Sequence, residues 1–351
     1  MSAATAEREL LAAAKEGDER AFERFVAPHR SALHAHCYRM LGSVHDADDA
    51  LQDAMLRAWR GLPGFEGRSS PKSWLYRIAT NASLDTIGRR PKARVLPLDH
   101  SPATGAADGP GPPLAETVWI EPYADAQLAL ADGLLAPDAR YEQRESVELA
   151  FVAALQHLAP RQRAVLILRE VLGFSAREVA ELLDTTVASV NSALQRARET
   201  VDGKLPDRSQ QATLRALGDD RLEEVVRGYL DAWERGEVDE IAQLLAEDVV
   251  LAMPPMATWY RGEEVFVFLR EWAFNGRVYD ALGHRRVRVL RTWANGQPAL
   301  GVYSWDDDAG EYRPTVLQVL TLGDDGKVRE VMGFVTPAFH PRHGLPEALP
   351  G

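Results

Sequence analysis

The chain has 351 residues and a formal net charge of -12 at pH 7, a length that accommodates two or three domains with substantial cores. The first 205 residues carry 24 Lys and Arg against 28 Asp and Glu, and the remainder carries 16 against 24. This acidic balance excludes a protein that coats nucleic acid indiscriminately, so any DNA-binding site must be a local basic patch.

Cysteine usage and hydropathy narrow the class further. Cys37 is the only cysteine, which excludes an internal disulfide and favours a buried structural thiol. No apolar run is long enough for a membrane span and no secretory signal stands at the start. We therefore expect no membrane partner and a cytoplasmic location.

The first domain, residues 1–94, is predicted to be all helical. A short helix from Glu7 to Gly17 precedes a longer one from Asp18 to about Leu41 and a third from Asp46 to Arg60. Apolar residues repeat every three or four positions along the third helix, which predicts a face packed on a core.

The opposite face of that third helix carries Asp49, Gln52 and Asp53 around an outward Leu56. An acidic face with an apolar residue at its centre suits a protein partner better than DNA. A solvated charged face is the alternative interpretation.

The segment that follows is basic and aromatic. From Arg68 to Arg94 the sequence has seven cations and one acid, Asp85, close to Phe65, Trp74 and Tyr76. Cations neutralise phosphates and aromatic rings stack on unpaired bases, so this composition suits single-stranded or melting DNA. Trp74 itself is expected in the core.

Residues 95–145 are predicted to be an acidic, partly disordered linker. The span from Val95 to Ala139 contains seven Asp and Glu and no Lys or Arg. The stretch ATGAADGPGPP predicts disorder, because small and turn-forming residues bury too little apolar surface. Trp119 and Tyr123 interrupt this composition and predict a docking segment, with a local apolar cluster as the alternative.

Residues 146–205 contain two short helical patterns joined by a polar turn. The first buries positions with helical spacing, namely Ala176, Val179, Ala180 and Leu183. Thr186 is a suitable N-cap for the second, which presents Ser189, Ser192 and Arg196 on its outer side. Small residues admit a helix to the major groove and Arg bonds bidentately to guanine, so the pattern predicts a helix-turn-helix. An ordinary helical hairpin is the alternative.

A specific spacing opens this region: Leu158, Pro160, Gln162 and Arg163, followed by Gly173, Phe174 and Ser175. The pattern resembles the C-terminal DNA-binding region of bacterial sigma-70-family initiation factors of the extracytoplasmic-function type. Asn191 and Ala193 depart from the family, which often has basic residues there, and this implies weaker or differently specified promoter contacts. The stretch DADDALQDAMLRAW resembles the sigma region that grips the polymerase clamp helices.

The resemblance implies that residues 1–94 are sigma region 2 and residues 146–205 are sigma region 4, with core RNA polymerase and promoter DNA as partners. The polymerase contact then falls on Asp49, Gln52, Asp53 and Leu56. Contact with the downstream promoter element, including a flipped base held in the loop that Phe65 begins, falls on Phe65, Arg77, Asn81, Arg89 and Arg90. Contact with the upstream element falls on Thr186, Ser189, Ser192 and Arg196.

The chain continues well past Leu205, near which the family usually ends. Amphipathic patterns from Leu222 to Trp233 and from Ile241 to Leu245 precede a short strand and a further helix near Glu263 to Trp272. Four strand patterns follow, at residues 286–293, 298–305, 314–322 and 327–334. Helices followed by a curled antiparallel sheet predict an α+β cone.

On this order of elements and the stretch MPPMATWYRG, residues 219–340 resemble the SnoaL-like, nuclear-transport-factor-like superfamily. The resemblance implies an apolar pocket that takes a small-molecule ligand and is lined by Trp259, Tyr260, Trp272 and His284. The linker motif of Trp119 and Tyr123 resembles that of sigma factors with an extra C-terminal domain, which implies docking on that domain or on the polymerase. The strand ends carry no convincing acid–base pair, so we expect no enzyme.

The sequence thus predicts a multidomain promoter-recognition subunit of RNA polymerase, with two all-α sigma domains and an α+β cone-shaped SnoaL-like domain that regulates transcription in cis. We expect no catalytic residue, no metal and no cofactor, and the presence of an anti-sigma factor stays open. Two alternatives remain: a stand-alone helix-turn-helix regulator with a ligand-binding domain, and a SnoaL-like enzyme with a DNA-binding appendage.

Overall fold

The computed structural model describes residues 3–89, 94–114, 118–128, 143–274 and 286–351. The chain divides into two compact units, each built from segments that are distant in sequence. The first unit contains described residues 3–89, 127–128 and 154–204. The second unit contains described residues 94–114, 118–126, 143–153, 205–274 and 286–351. Most of the described linker therefore belongs to the same unit as the C-terminal domain.

Five helices form the N-terminal part of the first unit: α1 (Ala3–Lys15), α2 (Glu19–Val26), α3 (Arg30–Leu41), α4 (Val44–Gly61) and α5 (Pro71–Arg89). The carboxylate of Asp18 caps α2 and accepts from the amides of Arg20 and Ala21 at 2.9 and 3.0 Å. The single helix expected from Asp18 to Leu41 is divided by a 3-10 turn, Ala27–His29. Pro28 lies in this turn and has no N–H with which to continue the α-helical ladder.

The core of this part lies between α3, α4 and α5, where Leu33, Met40 and Ala47 are fully buried. One buried polar contact joins α3 to α5, because His36 Nε2 lies 2.9 Å from the hydroxyl of Thr80. Burial lowers the pKa of His36 to about 3. This histidine is therefore neutral in the folded chain and belongs to the core.

After the short helix α6 (Pro97–His100) of the second unit, four helices cover the predicted DNA-binding region: α7 (Leu149–Gln156), α8 (Pro160–Leu166), α9 (Ala176–Leu182) and α10 (Val187–Asp202). Ser175 and Glu178 form a capping box at the start of α9, with hydrogen bonds of 3.2 and 2.7 Å. Thr186 caps α10 as predicted and accepts from the Ser189 amide at 3.1 Å. The first unit thus contains the predicted helix-turn-helix.

The second unit combines helices with one sheet. Its longer helices are α11 (Gln210–Leu217), α12 (Asp219–Arg235), α13 (Val238–Leu244) and α14 (Glu263–Phe268), and α15 (Phe339–Arg342) follows the main strands. The strands are β1 (Leu245–Ala252), β2 (Trp259–Arg261), β3 (Val287–Ala294), β4 (Gln297–Asp306), β5 (Glu311–Leu322), β6 (Val328–Phe334) and β7 (Leu349–Pro350). The four predicted strand patterns correspond to β3, β4, β5 and β6.

The sheet has the order β2-β1-β6-β5-β4-β3, and β7 pairs with β5. β1 runs parallel to β6, whereas the other paired strands are antiparallel. The sheet is therefore mixed, which corrects the expectation of an antiparallel one. Hairpins set the directions of β3 to β6, but β1 precedes them and joins the sheet through a crossover.

The core of the second unit lies between its helices and the sheet. Leu222, Val226 and Trp233 of α12 are buried in one apolar cluster with Val249 of β1 and Leu300 of β4. The amphipathic pattern of α12 predicts this buried face. The described part of this unit is an α+β fold, as expected.

Candidate polymerase and DNA interfaces

The outer face of α4 presents the predicted protein-binding residues together. Asp49, Gln52 and Leu56 are exposed, and Asp53 is half-buried. Their spacing of three and four residues places all four along one stripe of the helix. Leu56 is 49% exposed, which is unusual for a large apolar side chain in a packed helical domain. This stripe offers an apolar anchor surrounded by acidic and amide groups.

Two ion pairs hold part of this stripe in place. Arg57 pairs with Asp53 at 2.6 Å and with Asp85 of α5 at 2.7 Å. A cleft of about 210 Å³ lies beside them and is lined by Asp46, Asp49, Asp53, Thr86 and Arg89. Arg89, predicted to bind DNA, therefore shares a cleft with two residues predicted to bind the polymerase.

One face of α5 carries the predicted downstream-element residues. Arg77, Asn81 and Arg89 are exposed and follow one another at four- and eight-residue steps. An amide between two guanidinium groups can pair with a base edge while its neighbours neutralise phosphates. Arg90, assigned to the same surface, lies outside the described residues.

The structure places Phe65 differently from the predicted base-stacking residue. Its ring is 7% exposed and packs against Trp74 with ring centroids 4.9 Å apart. Lys15 of α1 donates to the carbonyl oxygen of Phe65 and lies over its ring at 5.5 Å. Phe65 thus belongs to the core, where the Trp74 ring covers it, and it anchors the loop that it begins.

The outer side of α10 presents the predicted upstream-element residues. Ser189, Ser192 and Arg196 are exposed, whereas Val190 and Leu194 are buried. Among the described residues Arg196 has no carboxylate within ion-pair distance, but Arg198 pairs with Glu170 at 2.7 Å. The guanidinium of Arg196 is therefore the one on this side that is available to a base. Val187, the first residue of α10, is also 43% exposed, and its residue type alone gave no signal of this.

Arg163 of the sequence motif is a buried anchor. It is 4% exposed, and its guanidinium donates to Met40 O in α3 and to the main-chain oxygens of Gln156 and Leu158 at 3.1 and 3.3 Å. Burial lowers its pKa to about 10, which leaves it charged at neutral pH. It connects α3 to the start of α8 and so contributes structure, a role that the motif alone did not reveal.

A polar turn between β3 and β4 collects distant segments of the second unit. Asn295, which is fully buried, accepts from the Tyr123 amide at 2.8 Å and donates from its side chain to Val147 O at 2.7 Å. The main-chain N–H of Asn295 also donates to Tyr123 O at 2.7 Å. Gln297 accepts from the Leu149 amide at 3.3 Å. One turn therefore holds the linker and the beginning of α7.

Glu148 extends this network to α11. Its carboxylate accepts from the amides of Gln210 and Gln211 at 3.1 and 2.7 Å, at the N-terminus of that helix. Burial raises the pKa of Glu148 to about 7. The side chain of Gln211 in turn donates to Gly296 O at 2.5 Å. Glu148, which precedes residues 154–204, is thus bound to Gln210 and Gln211, which follow them. Gln211 is bound in turn to the turn that contains Asn295.

Both residues of the predicted docking motif are buried in the second unit. Trp119 is 8% exposed and packs edge-on against His100 of α6 with ring centroids 5.5 Å apart. Arg94 donates to Trp119 O at 2.7 Å. Tyr123 is fully buried at the Asn295 turn.

The described residues of the predicted ligand pocket contact the linker or the core. Trp259 and Trp272 donate their indole N–H groups to Ser101 O and Ala106 O, each at 2.7 Å. Tyr260 is buried and stacks on Phe268 at 4.8 Å. His284 lies outside the described residues. Two of the four predicted lining residues, Trp259 and Trp272, therefore bond to the linker.

Metal ligands and membrane spans were considered for residues 3–89, 94–114, 118–128, 143–274 and 286–351. Within those ranges no group of three or more His, Cys, Asp or Glu side chains is arranged to hold a metal ion. None of the helices described there is long and apolar enough to cross a membrane.

Comparison with known proteins assigns a family to each part of the chain. Sigma-70 region 2 matches residues 25–92, Sigma-70, region 4 matches residues 148–201, and the SnoaL-like domain matches residues 226–331. These matches fall on α2 to α5, on the helix-turn-helix and on the α+β fold. The matched families therefore define the class of the chain as a transcription initiation factor with an appended SnoaL-like domain.

Individual relatives agree with this class. The chain is 38% identical over 329 residues to the ECF RNA polymerase sigma factor SigG of Mycobacterium tuberculosis, covering 93% of this chain and 85% of SigG. It is 32% identical over 195 residues to the ECF RNA polymerase sigma factor SigW of Bacillus subtilis, covering 55% of this chain and 93% of SigW. The crystal structure of the Mycobacterium tuberculosis extracytoplasmic function sigma factor SigJ shares the fold, with a TM-score of 0.55 and 22% identity over 91% of this chain and all of that one.

The chain belongs to the ECF sigma-70 family and carries a SnoaL-like domain after region 4. Sigma factors bind core RNA polymerase and promoter DNA and direct transcription initiation without catalysing a reaction. This membership excludes the stand-alone regulator and the enzyme as classes for the chain.

Proposed function

We propose that three surfaces of the first unit perform promoter-directed initiation. The stripe of Asp49, Gln52, Asp53 and Leu56 binds the polymerase. The face of α5 with Arg77, Asn81 and Arg89, together with Arg90 and the loop that Phe65 anchors, binds the downstream promoter element. The N-terminal half of α10, with Thr186, Ser189, Ser192 and Arg196, reads the upstream element in the major groove. The polymerase lies in the cytoplasm, which is the compartment proposed for the chain.

The SnoaL-like domain regulates this activity in cis. The observation that supports this proposal is the Asn295 turn, which bonds Val147 and Leu149 and, through Gln211, the start of α11. The chain leaves the second unit after residue 153 and returns to it at residue 205. Residues 154–204, which contain the helix-turn-helix, therefore lie between these anchored points in the sequence. A sigma factor must place region 4 on the upstream element while region 2 holds the downstream one. Anchors on both sides of residues 154–204 restrict that placement, so the domain acts as an inhibitor.

Replacing Asn295 with glycine tests this regulation. Asn295 has a φ of 56°, a conformation that glycine adopts without strain, so the variant removes the side-chain hydrogen bonds but keeps the turn. Loss of buried hydrogen bonds worth roughly 1–3 kcal/mol is expected to raise promoter-dependent transcription by core polymerase about fivefold or more. Run-off transcription with equal amounts of each chain measures the effect.

Asp308→Gly is the matched control. Asp308 is exposed in the turn between β4 and β5 of the same sheet, so this variant changes a turn without touching the segments beside region 4. It is expected to transcribe like the wild type. Equal activity of the two variants would show that the Asn295 turn does not control initiation.

A further inference from the structure

Linker residues 101–114 lie in a groove of the SnoaL-like domain formed by residues 255–259, Glu264 and Trp272. At one end the Ser101 hydroxyl donates to Ala257 O at 2.8 Å. At the other end the Leu114 amide donates to Pro255 O at 3.0 Å, and Pro113 forms an antiparallel bridge with Met256. The segment thus follows the groove over its whole length.

Recognition is made almost entirely through the main chain of the segment. Six main-chain groups bond to the groove: Ser101 O, Thr104 N, Ala106 N, Ala106 O, Pro110 O and Leu114 N. Glu264 accepts from the Ala106 amide at 2.5 Å, and Trp272 donates to Ala106 O at 2.7 Å. Such a groove recognises an extended peptide without requiring large side chains.

Steric fit selects small residues at two positions. Ala106 is fully buried and belongs to the apolar cluster of the cone. At Gly109 the φ is 71°, and an added Cβ would lie 2.6 Å from the Trp272 ring. The Ala and Gly composition that predicts disorder in isolation is therefore the composition that this groove admits.

The segment is held weakly for its length. Of residues 101–114 only Ala106 and Gly109 are buried, and the intervening and flanking residues are half-buried or exposed. Segments with so little buried apolar surface open at low free energy cost relative to the core. The hydrogen bonds of the segment are thus specific in geometry, but the segment buries little apolar area. This combination allows residues 101–114 to leave the groove and return to it.

We propose that this groove is a peptide-binding site of the SnoaL-like domain and that residues 101–114 are its exchangeable ligand. In the free chain the groove holds the linker, and initiation requires its release. The second part rests on the proposed sigma function, since the linker must join regions 2 and 4 while each lies on its promoter element. The ligand class is an extended peptide of small residues, not the small molecule that the resemblance implied.

Gly109→Ala tests the site in the full chain, with Gly111→Ala as the matched control. Both glycines have positive φ values, 71° and 68°, so an alanine is strained at either position. Only Gly109 faces Trp272, whereas a Cβ at Gly111 would be 3.6 Å from the Thr258 methyl group, an ordinary contact. Overpacking against the indole is expected to speed amide exchange at Thr104, Ala106 and Leu114 about 10-fold relative to the control.

Glu264→Ala, with Glu263→Ala as its control, gives a second comparison that does not depend on the glycines. Both glutamates are exposed in the first turn of α14, and only Glu264 bonds the segment. The Glu264→Ala chain is expected to show the faster exchange. A fluorescein-labelled peptide of residues 101–114 should bind the Gly109→Ala chain, whose groove keeps Glu264, and not the wild type, whose groove is filled.

Hydrogen–deuterium exchange, peptide binding and run-off transcription are measured on the same preparations. We expect faster exchange and severalfold higher transcription for Gly109→Ala and Glu264→Ala only, and peptide binding for Gly109→Ala only. Wild-type amides of the segment that exchange at free-peptide rates would overturn it, as would equal behaviour of each variant and its control. If no chain initiates, the sigma function fails, and the exchange comparison still decides whether the groove binds the segment.

Discussion

Replacing Leu56 with alanine is expected to weaken binding of the chain to core RNA polymerase about 10-fold or more. Leu56 is 49% exposed at the C-terminal end of the acidic stripe of α4, as an apolar anchor is before its partner covers it. Truncation removes apolar area that the complex would bury, and a loss of about 1.4 kcal/mol corresponds to a factor of 10 in the dissociation constant. Fluorescence anisotropy of labelled chain titrated with core polymerase measures the affinity.

Val187→Ala is the control for Leu56→Ala. These two residues are the exposed large apolar side chains found among the described residues, and alanine suits a helix at either position. Val187 lies on α10, away from the proposed polymerase stripe, so its truncation should leave core affinity within about 2-fold. A Leu56→Ala chain that binds core polymerase as tightly as the wild type would remove the stripe from the interface.

Arg196→Ala is expected to lower the preference of the holoenzyme for its upstream element by about 10- to 100-fold. The free guanidinium lies on the exposed side of α10, where a bidentate contact with a guanine contributes roughly 1–3 kcal/mol of discrimination. Footprinting of holoenzyme on promoters with intact and scrambled upstream elements, at one salt concentration, measures the preference. Core binding should be unchanged, because α4 is untouched.

Arg198→Ala controls for the loss of one positive charge from α10. Arg198 is 56% exposed and already paired with Glu170 at 2.7 Å. An exposed ion pair contributes little, so this variant is expected to change the upstream preference by no more than about 3-fold. An unchanged footprint with Arg196→Ala, or equal losses in both variants, would contradict the assignment of Arg196 to base recognition.

Local pattern was sufficient to predict the elements that carry the proposed sites. The helix-turn-helix follows from the spacing of Val179 and Ala180 and from the cap at Thr186, and the structure confirms both. The four strand patterns were likewise found from alternation and turn residues. These features depend on neighbours in sequence, which the sequence displays directly.

Long-range pairing was not predictable in the same way. The linker composition of Ala106 and Gly109 indicated disorder, because nothing nearby in sequence can cover these residues. Their partners Glu264 and Trp272 lie more than 150 residues away. Trp259 and Trp272 were predicted to line a ligand pocket, and their hydrogen bonds to Ser101 O and Ala106 O were not predictable for the same reason.

The burial of individual side chains was also not predictable from the sequence. Phe65 stands in a basic, aromatic segment and was predicted to meet a base, yet Trp74 and Lys15 cover it. Arg163 was recognised as part of a motif, but its four acceptors are set by the ends of helices that only the fold brings together. Residue type indicated that these positions mattered without indicating how.

We expect this chain to make core polymerase start transcription at promoters. The most direct test is run-off transcription by purified core polymerase with the full chain, on promoters selected by that holoenzyme from a random DNA library. We expect initiation at fixed start sites that depends on both an upstream and a downstream element. A chain that binds core polymerase and DNA but supports no initiation above core alone would contradict it.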